Sequence, residues 1–321
     1  MGVSNHLHKE KVKSSLLSIV VPVFNEEANI KELHKQLDQV LEKLAMDYEI
    51  LFVNDGSSDR SVSLIKELNT VDEHVKLISF ARNHGHQIAI TAGLERAVGD
   101  AAITIDADLQ HPPEFIPTLV EKWREGYEIV SMVKLTQERR GLIKSTLAAV
   151  FYALFSKISE IELDPHSSDF RLISRKALTV LNSMPEQQRF LRGLVRWIGF
   201  KHANIEYEAP ARYAGQPKYS IGSLIRLAGF GIFSFSVFPL RASLYLGTLI
   251  AVLSFGYASY AVYARLFGVG VPPGYTDIVV AVLFLGGLQL IFLGIIGEYL
   301  AKVYQEVRGR PLYIIDELVG L

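Results

Sequence analysis

AAITIDADLQHPPE, residues 101–114, joins a short apolar run to a group of acidic and amide side chains. The apolar part, residues 101–105, predicts a buried strand that is followed directly by Asp106, Asp108 and Gln110. Alternate residues of a strand point to the same side, so these three side chains are expected to present their oxygen atoms together. Such ligands suit Mg²⁺ or Mn²⁺, and Mg²⁺ often combines one or two carboxylates with substrate phosphates. A lone Asp-x-Asp is more often part of a solvated loop, so the remaining sequence decides between the two interpretations.

Apolar runs of strand length alternate with helical patterns through the first part of the chain. The predicted strands are residues 16–24, 48–53, 75–80, 101–105 and 127–133. This alternation predicts an α/β fold with a largely parallel sheet, in which ligands bind beyond the carboxyl ends of the strands. Polar clusters follow four of these strands, at residues 25–27, 55–59, 82–85 and 106–110. Their convergence on one crevice favours a binding site, and with it the metal interpretation of the acidic stretch.

The next part of the chain continues the α/β pattern less regularly. Residues 168–173 predict a further strand, 175–183 and 187–198 predict short helices, and 204–209 alternate like an edge strand. The uncharged run at residues 145–156 is too short to cross a bilayer, so it indicates a core helix or a helix at a membrane surface.

Two long uncharged runs near the C-terminus predict membrane-spanning helices. The first, from Ala242 to Ala264, would be roughly 34 Å long as a helix, which is enough to cross a hydrocarbon core of about 30 Å. The second covers residues 278–297, and the connection between the runs contains no Lys or Arg. The basic residues lie on the other side: Arg226, Arg241, Lys302, Arg308 and Arg310. The positive-inside rule therefore predicts two spans of the inner (cytoplasmic) membrane, with both termini and the α/β domain in the cytoplasm.

These patterns predict four regions. They are an α/β domain at residues 1–215, an interfacial amphipathic segment at 216–241, two spans within 242–301 (about 242–266 and 277–299), and a tail at 302–321. Glycine residues in the spans allow close packing, so a homo-oligomer is plausible.

Composition and missing motifs exclude several functions. A formal net charge of −1 gives no basic field for nucleic acid, and the absence of cysteine excludes thiol nucleophiles and thiolate zinc sites. The sequence contains no phosphate-binding glycine loop of the Walker or dinucleotide type, no G-x-S-x-G and no HExxH. A crevice rich in carboxylates, next to a membrane, remains as the feature that carries chemistry.

Seven motifs give this crevice a family resemblance. The first four are PVFNEE (22–27), VNDGSSD (53–59), RNHGH (82–86) and DADLQHPPE (106–114), and in this order they resemble family 2 inverting glycosyltransferases. SDFRLISR (168–175), RGLVRWIGF (192–200) and RYAGQPKYS (212–220) resemble the polyprenyl-phosphate branch, which includes dolichol-phosphate mannose synthase and bacterial two-span enzymes acting on undecaprenyl phosphate. The resemblance covers nearly the whole chain. It implies a GT-A catalytic domain, Rossmann-like with a mostly parallel sheet, followed by interfacial helices and two transmembrane helices.

The resemblance also implies roles for individual residues. Those expected to bind the nucleotide sugar are Pro22, Phe24, Asn25, Glu27, Asp55, Asp59 and Asp106. Asp106, Asp108 and Gln110 would hold Mg²⁺ or Mn²⁺, and Asp108, Asp169 and Arg171 would lie at the reacting centre. The lipid phosphate would be bound by Arg139, Arg212 and Lys218. Four positions depart from the family pattern. Phe24 stands where Tyr is frequent, Pro217 where Ser is usual, and His84 and His166 lie in motif loops where other residues are expected.

Simpler structural roles compete with some of these assignments. Asp55 could cap the helix that follows it, and Asp169 could be a salt-bridge partner of Arg171. Arg139 and Arg212 could be charges at a membrane surface. His84 and His86 are interpreted as polar loop residues without a chemical role.

The resulting functional hypothesis is a membrane-bound inverting transfer of a hexose to polyprenyl phosphate. The donor is expected to be a UDP-sugar, with UDP-glucose favoured, and the acceptor undecaprenyl phosphate. One alternative is a dolichol- or polyprenyl-phosphate mannose synthase that uses GDP-mannose. A second is a non-catalytic scaffold that binds nucleotide sugars. A processive polysaccharide synthase is disfavoured because Gly193 occupies the Gln position of Q-x-x-R-W, and a transporter because the spans are uncharged.

Overall fold

A single eight-stranded sheet organises the first unit of this computed structural model, which describes residues 15–135, 167–187, 189–208, 238–267 and 274–321. In chain order the strands are β1 (Leu16–Val23), β2 (Asp47–Asn54), β3 (Val75–Phe80), β4 (Ala101–Thr104), β5 (Ile129–Lys134), β6 (Ser167–Ser174), β7 (His202–Tyr207) and β8 (Ile315–Val319). Their order across the sheet is β7-β5-β6-β4-β1-β2-β3-β8.

The centre of the sheet is parallel. Strands β4, β1, β2 and β3 run in one direction, and β5 is parallel to β7. Strand β6 is antiparallel to β4 and β5, and β8 is antiparallel to β3. Every residue of β1 after Leu16 is buried, as expected for a parallel strand covered on both faces. The predicted α/β fold with a mostly parallel sheet is therefore confirmed.

Helices connect the strands and cover the sheet. They are α1 (Ile30–Leu41), α2 (Ser61–Asn69), α3 (His86–Arg96), a 3₁₀ turn (Pro113–Phe115) continued by α4 (Ile116–Arg124), α5 (Arg175–Ser183) and α6 (Leu191–Trp197). In α1 the buried residues Ile30, Leu33, Leu37 and Leu41 recur every three or four positions, so one face of the helix packs on the core. Helix α3 lies close against β1, because a Cβ atom at Gly93 would overlap the side chain of Val20.

The C-terminal strand β8 belongs to the first unit and was not predicted, since residues 302–321 were interpreted as a tail. It pairs antiparallel with β3. Tyr313, two residues before the strand in sequence, stacks on Phe80 with 4.9 Å between ring centroids. The Tyr313 hydroxyl donates a hydrogen bond to Glu95 in α3, at 2.6 Å. Strand β8 thus protects an edge of the sheet that would otherwise present unpaired backbone groups.

The second unit contains two long helices, α7 (Phe238–Leu266) and α8 (Tyr275–Arg308). Each helix contains a stretch that is long and apolar enough to cross a membrane, with mean hydropathy 1.5 in α7 and 1.7 in α8. Neither stretch is buried inside the protein. The predicted spans at about 242–266 and 277–299 lie inside these helices. The interfacial segment predicted at 216–241 lies outside the described residues, except for residues 238–241.

Candidate active site

Four loops meet at the carboxyl edge of the parallel strands. They follow β1, β2, β3 and β4, which are neighbours in the sheet. Hydrogen bonds join the first loop to the second and the second to the third, and His86 at the end of the third loop lies 3.4 Å from Asp106 in the fourth. The convergence predicted from the strand ends is therefore present in the fold.

The loops after β1 and β2 are held together by an exchange of backbone and side-chain hydrogen bonds. Asn25 accepts one from the backbone of Ser58 at 2.8 Å, and Glu27 accepts one from the backbone of Arg60 at 3.0 Å. In return, Asp59 accepts one from the backbone of Glu27 at 3.1 Å. Asn25 adopts a left-handed backbone conformation with φ of 55°, which Asn tolerates better than most residues. These three side chains fix the shape of the loops whatever ligand they contact.

Two residues predicted to bind the nucleoside, one in β1 and one directly after it, have different surroundings. Pro22 is buried within the strand, opposite Val53 of β2. Phe24 follows the strand and has an exposed fraction of 39%. An aromatic face exposed at a strand end can stack on a base, so Phe24 is the one of the two with surface to offer a ligand.

Asp55 connects the second loop to the third. Its buried carboxylate accepts hydrogen bonds from the backbone nitrogens of His84 at 2.6 Å and Gly85 at 2.9 Å. Burial raises the pKa of Asp55, and these two hydrogen bonds oppose that shift. Helix α2 begins six residues later, at Ser61, and Asp59 rather than Asp55 accepts the hydrogen bond from its first backbone nitrogen. The alternative role of Asp55 as a helix cap is therefore wrong.

The acidic residues after β4 form a turn and not a strand. Strand β4 ends at Thr104, Leu109 has a left-handed φ of 61°, and Asp108 accepts a hydrogen bond from the backbone of Gln110 at 3.1 Å. The expectation that Asp106, Asp108 and Gln110 alternate along a strand is wrong, because such local Asp–backbone bonds favour turns over the sheet ladder. The oxygen of Gln110 also lies 3.4 Å from the ammonium group of Lys134.

His111 fastens this turn to β6. Its Nδ1 accepts a hydrogen bond from the backbone nitrogen of Asp106 at 3.0 Å, and its Nε2 lies 2.6 Å from the hydroxyl of Ser168. The ring is buried and stacks on Phe170, with 5.3 Å between centroids. Burial lowers the pKa of His111, although the Asp106 carboxylate opposes that effect. The side chain is thus a neutral imidazole with its proton on Nε2, directed at Ser168.

The carboxylates of the turn suit a divalent cation that is also bound by a substrate. The Asp106 side chain has an exposed fraction of 29%, so its oxygens can be reached from the crevice. Among the described residues no group of three or more His, Cys, Asp and Glu side chains forms a complete metal site. Mg²⁺ commonly takes one or two protein carboxylates and fills its remaining positions with water and phosphate oxygens. The residues present therefore fit Mg²⁺ or Mn²⁺ bound together with a diphosphate.

Asp169 is held by several side chains of the site. It is buried at the start of β6, and three side chains donate hydrogen bonds to it: Arg171 at 3.0 Å, Arg192 at 2.9 and 3.0 Å, and Gln87 at 3.2 Å. His86 lies 3.7 Å away. The predicted alternative of an Asp169–Arg171 ion pair is confirmed.

The cations decide the protonation state of Asp169. Burial alone would raise its pKa, but Arg192, His86 and Arg171 outweigh burial and hold the pKa well below its usual range. A carboxylate that binds protons so weakly is a poor general base, because catalysis by proton transfer favours a pKa near the working pH. Asp169 is suited to orienting its cationic partners.

His86, Gln87, Arg192 and His111 were not assigned by sequence reasoning, and His86 was interpreted as a loop residue without chemistry. In the structure His86 begins α3, between Asp106 and Asp169. Burial disfavours its protonation, but the two carboxylates overcome this and raise the pKa of His86 to about 9. Its position directly after a strand-end loop was a usable signal. Arg192 stands in a quoted motif, but no sequence pattern connects it to Asp169.

The three residues predicted to bind the lipid phosphate, Arg139, Arg212 and Lys218, lie outside the described residues. Of the other predicted site residues, the structure brings Asp106, Asp108 and Gln110 into one turn. It places Asp169 and Arg171 next to that turn through His86 and His111.

A mostly parallel sheet with an Asp-x-Asp turn at its carboxyl edge is the arrangement of GT-A glycosyltransferases. The chain shares its fold with glucosyl-3-phosphoglycerate synthase from Mycobacterium tuberculosis, crystallised with Mn²⁺, uridine diphosphate and phosphoglyceric acid. The TM-score is 0.50 at 21% identity, covering 68% of this chain and 78% of the other.

The chain belongs to glycosyl transferase family 2, which it matches over residues 18–181. Residues 238–303, which include most of both long helices, match the GtrB C-terminal hairpin. The protein is a glycosyltransferase.

Relatives extend this similarity over nearly the whole length. The glycosyltransferase sll0501 of Synechocystis sp. is 44% identical over 306 residues, which is 95% of this chain and 96% of the relative. The SfII prophage-derived bactoprenol glucosyl transferase of Shigella flexneri is 41% identical over 301 residues, 94% of this chain and 97% of the relative. The bactoprenol glucosyl transferase of Shigella phage SfV is 41% identical over 299 residues, 93% and 97% respectively.

Proposed function

We propose that the protein transfers glucose from UDP-glucose to undecaprenyl phosphate and so forms a polyprenyl-phosphate sugar. The observation that carries the proposal is the near full-length similarity to bactoprenol glucosyl transferases, at 41% identity over 301 residues. Bactoprenol is undecaprenol, the lipid part of the proposed acceptor. The match to the GtrB C-terminal hairpin extends the similarity to the apolar helices. These relatives favour glucose over the alternative transfer of mannose from GDP-mannose.

The donor is assigned to the loops after β1, β2 and β4. The exposed ring of Phe24 is proposed to stack on the base, and Asn25, Glu27, Asp55 and Asp59 to shape the nucleoside pocket. Pro22 supports this pocket from inside β1. Each of the polar residues already holds a loop in place, so the proposed pocket would need little rearrangement when the nucleotide binds. Such preorganisation lowers the ordering cost of binding.

The diphosphate is assigned to the acidic turn. Asp106, Asp108 and Gln110 would hold Mg²⁺ or Mn²⁺ there, and the bound ion would neutralise the leaving diphosphate and polarise its bond to glucose. The same metal and nucleotide occur together in the glucosyl-3-phosphoglycerate synthase that shares the fold. His111 fixes the turn from the buried side, through the backbone of Asp106.

The reaction is proposed to be a direct displacement with inversion. A phosphate oxygen of the lipid forms a bond to the anomeric carbon of glucose while the bond to UDP breaks, and UDP leaves with that electron pair. A phosphate monoester has a second pKa near 6, so the attacking group is already mostly dianionic at neutral pH. No strong base is needed, in agreement with the low pKa of Asp169. Asp169 and Arg171 would instead position charge around the reacting groups.

The acceptor phosphate is assigned to the basic residues Arg139, Arg212 and Lys218. The membrane arrangement proposed with it has α7 and α8 as a hairpin of two spans in the cytoplasmic membrane. The basic residues on the α/β side of the hairpin favour a cytoplasmic location of the catalytic residues. The pairing of β8, which follows α8, with β3 supports an arrangement in which the chain segments before and after the hairpin are on the same side of the membrane.

A transfer assay tests the proposal directly. Full-length protein in detergent is incubated with undecaprenyl phosphate, Mn²⁺ and radiolabelled UDP-glucose, and the label that moves into an organic-extractable product is counted. We expect transfer by the wild-type protein and a loss of at least about a hundredfold in Asp108→Asn, a variant of a partly exposed turn residue.

The matched control is Glu121→Gln, which removes an exposed carboxylate from α4 and should leave transfer unchanged. Reactions with radiolabelled GDP-mannose and with other UDP-sugars run in parallel. Transfer from GDP-mannose but not from UDP-glucose would overturn the proposed donor. Binding of UDP-glucose without any transfer to lipid would support the scaffold alternative.

A further inference from the structure

The backbone at His86 is held on both sides of the residue. His86 is the first residue of α3, and residues 89–94 of this helix are buried, so the helix is fixed in the core. The preceding residue, Gly85, has a left-handed φ of 104°, and its backbone nitrogen donates a hydrogen bond to Asp55 at 2.9 Å. The position of the His86 side chain is therefore set by the helix after it and by the loop before it.

The imidazole of His86 contacts two carboxylates that come from different parts of the chain. Its Nε2 atom lies 3.4 Å from Oδ1 of Asp106 and 3.7 Å from Oδ2 of Asp169. Asp106 follows β4, and Asp169 lies in β6, the antiparallel neighbour of β4. The proposed function assigns Asp106 to the metal and the diphosphate, and Asp169 to the reacting centre. One ring thus lies between the two parts of the proposed site.

The two distances show that the ring is shared between the carboxylates. An N–H···O hydrogen bond usually has roughly 2.7–3.2 Å between its heavy atoms, and both contacts are longer than that. One N–H group that lies between two acceptors is attracted to both. Because the imidazolium and one of the neutral tautomers both carry a hydrogen on Nε2, this arrangement does not depend on the charge of the ring.

The two carboxylates differ in how firmly other residues hold them. Asp169 also accepts hydrogen bonds from Arg171 at 3.0 Å and Gln87 at 3.2 Å, and its side chain is only 8% exposed. The Asp106 side chain is 29% exposed, and the hydrogen bond between Asp106 and His111 uses the backbone nitrogen of Asp106. The Nδ1 atom of His111 also lies 3.5 Å from Oδ2 of Asp106, but as an acceptor it has no hydrogen to donate to the carboxylate. His86 therefore matters more for the orientation of Asp106 than for that of Asp169.

We propose that His86 is a positioning residue that sets the orientation of the Asp106 carboxylate relative to Asp169. The inference rests on the proposed function, since it takes Asp106 to be a ligand of the metal that binds with the diphosphate. Residues that hydrogen-bond to a metal ligand orient that ligand. Asp169 anchors the imidazole, and the imidazole directs the carboxylate. Such alignment matters for the rate, because a misplacement of about 1 Å can slow a reaction by about a hundredfold.

Two other roles for His86 compete with this one. Its side chain is 46% exposed, so it could contact the substrate directly. Removal of a residue that binds the nucleotide would raise the Kd of UDP, and removal of one that binds glucose would raise the Kd of UDP-glucose alone. A purely structural residue would affect the melting temperature without a selective change at the metal.

The experiment compares His86→Ala and His86→Gln with the wild-type full-length protein in detergent. The amide of Gln can place a donor near the position of the Nε2 atom. The matched control is His74→Ala, which removes another imidazole that is 40% exposed and contacts a carboxylate, that of Asp72 at 2.8 Å. His74 directly precedes β3, at the end of the strand opposite to the four loops.

Five properties are measured for each protein. They are the melting temperature, the Kd of UDP and that of UDP-glucose at saturating Mn²⁺, the kcat for transfer with both substrates saturating, and the electron paramagnetic resonance spectrum of Mn²⁺ bound together with UDP. We expect His86→Ala to lower kcat by about tenfold or more and to raise neither Kd by more than about threefold. Its Mn²⁺ spectrum should differ from that of wild type, because the Asp106 oxygen is presented differently to the metal. His86→Gln should lie between Ala and wild type, and His74→Ala should keep the wild-type kcat and spectrum.

Several results would overturn the inference. One is a kcat of His86→Ala within about twofold of wild type, and another is a loss of kcat accompanied by an equal rise in either Kd. An equal loss of kcat in His74→Ala is a third, since the loss would then follow from reduced stability. If His86→Ala does not fold, His86→Gln is judged by the same criteria. If the wild-type protein transfers no glucose to the lipid, the proposed function has failed. The Mn²⁺ spectra then decide the inference, and unchanged spectra in both His86 variants would overturn it.

Discussion

The Nδ1 atom of His111 accepts a hydrogen bond from the backbone nitrogen of Asp106, with 3.0 Å between the two atoms. This contact determines which nitrogen of the ring carries the proton, because an acceptor nitrogen must be unprotonated. It also ties the acidic turn to the interior of the protein rather than to another part of the surface. The position of Asp106 therefore depends on a buried neutral histidine.

We predict that His111→Phe lowers the free energy of unfolding by about 2–3 kcal/mol. Phe preserves the stacking on Phe170 but leaves the Asp106 nitrogen and the Ser168 hydroxyl without this partner, and unmet buried polar groups cost about 1–3 kcal/mol each. Thermal melting of the full-length protein in detergent measures the effect. Ser168→Ala, which removes the hydroxyl partner of the Nε2 atom of His111, should have a smaller effect. A His111→Phe variant as stable as wild type would show that the turn does not depend on this ring.

Mn²⁺ and UDP should each bind much more tightly in the presence of the other. The turn offers two carboxylates and an amide oxygen, and among the described residues it belongs to no cluster of three or more metal-binding side chains. A diphosphate would complete the coordination, and linkage requires each ligand to raise the affinity for the other by the same factor. Calorimetric titration of UDP with and without Mn²⁺ should show a difference of about tenfold or more, abolished in Asp108→Asn. Equal UDP affinities in both conditions would remove the metal from the nucleotide site.

The sequence was sufficient to predict every strand except β8 and the strand ends at which the loops of the candidate site meet. The run at residues 16–24 is apolar on both faces and became β1, and the loops after the parallel strands met where parallel topology requires. The acidic turn was placed at the correct strand end, although its conformation was wrong. Strand periodicity gives the direction of side chains only while the strand continues, and β4 ends at Thr104.

Contacts between distant residues could not be predicted in the same way. Asp169 binds Gln87 and Arg192, which are far from it along the chain and follow no shared periodicity. Capping of the following helix was the competing role for Asp55, but its carboxylate holds the loop at His84 and Gly85 instead. Strand β8 was missed because a five-residue segment that alternates between half-buried and exposed residues gives only a weak signal.

The stability of the protein should fall between about pH 6.5 and pH 3, in part because of His202. This residue lies on β7 and contacts the hydroxyl of Ser131 at 2.9 Å. Burial, together with the positive charges of Arg196 and Arg171, lowers the pKa of His202 to about 3. The unfolded chain, with a histidine pKa near 6.5, therefore binds more protons than the folded chain in this range, and stability decreases as the pH falls through it.

His202→Gln tests this contribution, because the amide of Gln lies near the position of the Nε2 atom that contacts Ser131 but does not titrate. We expect the melting temperature of the variant to depend less steeply on pH between 6.5 and 4 than that of wild type. Identical slopes for the two proteins would mean that His202 is protonated in the folded state or contributes nothing.

The C-terminal strand should stabilise the nucleotide site through Tyr313. The ring of Tyr313 stacks on Phe80, and Phe80 also makes an edge-on contact with His84 at 5.5 Å, in the loop that Asp55 holds. Tyr313→Phe should cost about 0.5–1.5 kcal/mol through the lost hydrogen bond to Glu95, and Tyr313→Ala more, because stacking and buried area are lost as well.

The exposed neighbour Ile314 provides the matched control, since its side chain is 56% exposed and only its backbone oxygen bonds to Ala81. Ile314→Ala should therefore keep both the melting temperature and the Kd for UDP close to wild type. Tyr313→Ala should lower the melting temperature and weaken UDP binding together, because the loop at His84 loses the aromatic support of its neighbour Phe80. A Tyr313→Ala variant with reduced stability but unchanged UDP affinity would confine the role of β8 to the sheet edge. A loss of both stability and UDP affinity in Tyr313→Ala would show that the segment after α8 supports the nucleotide-binding loops.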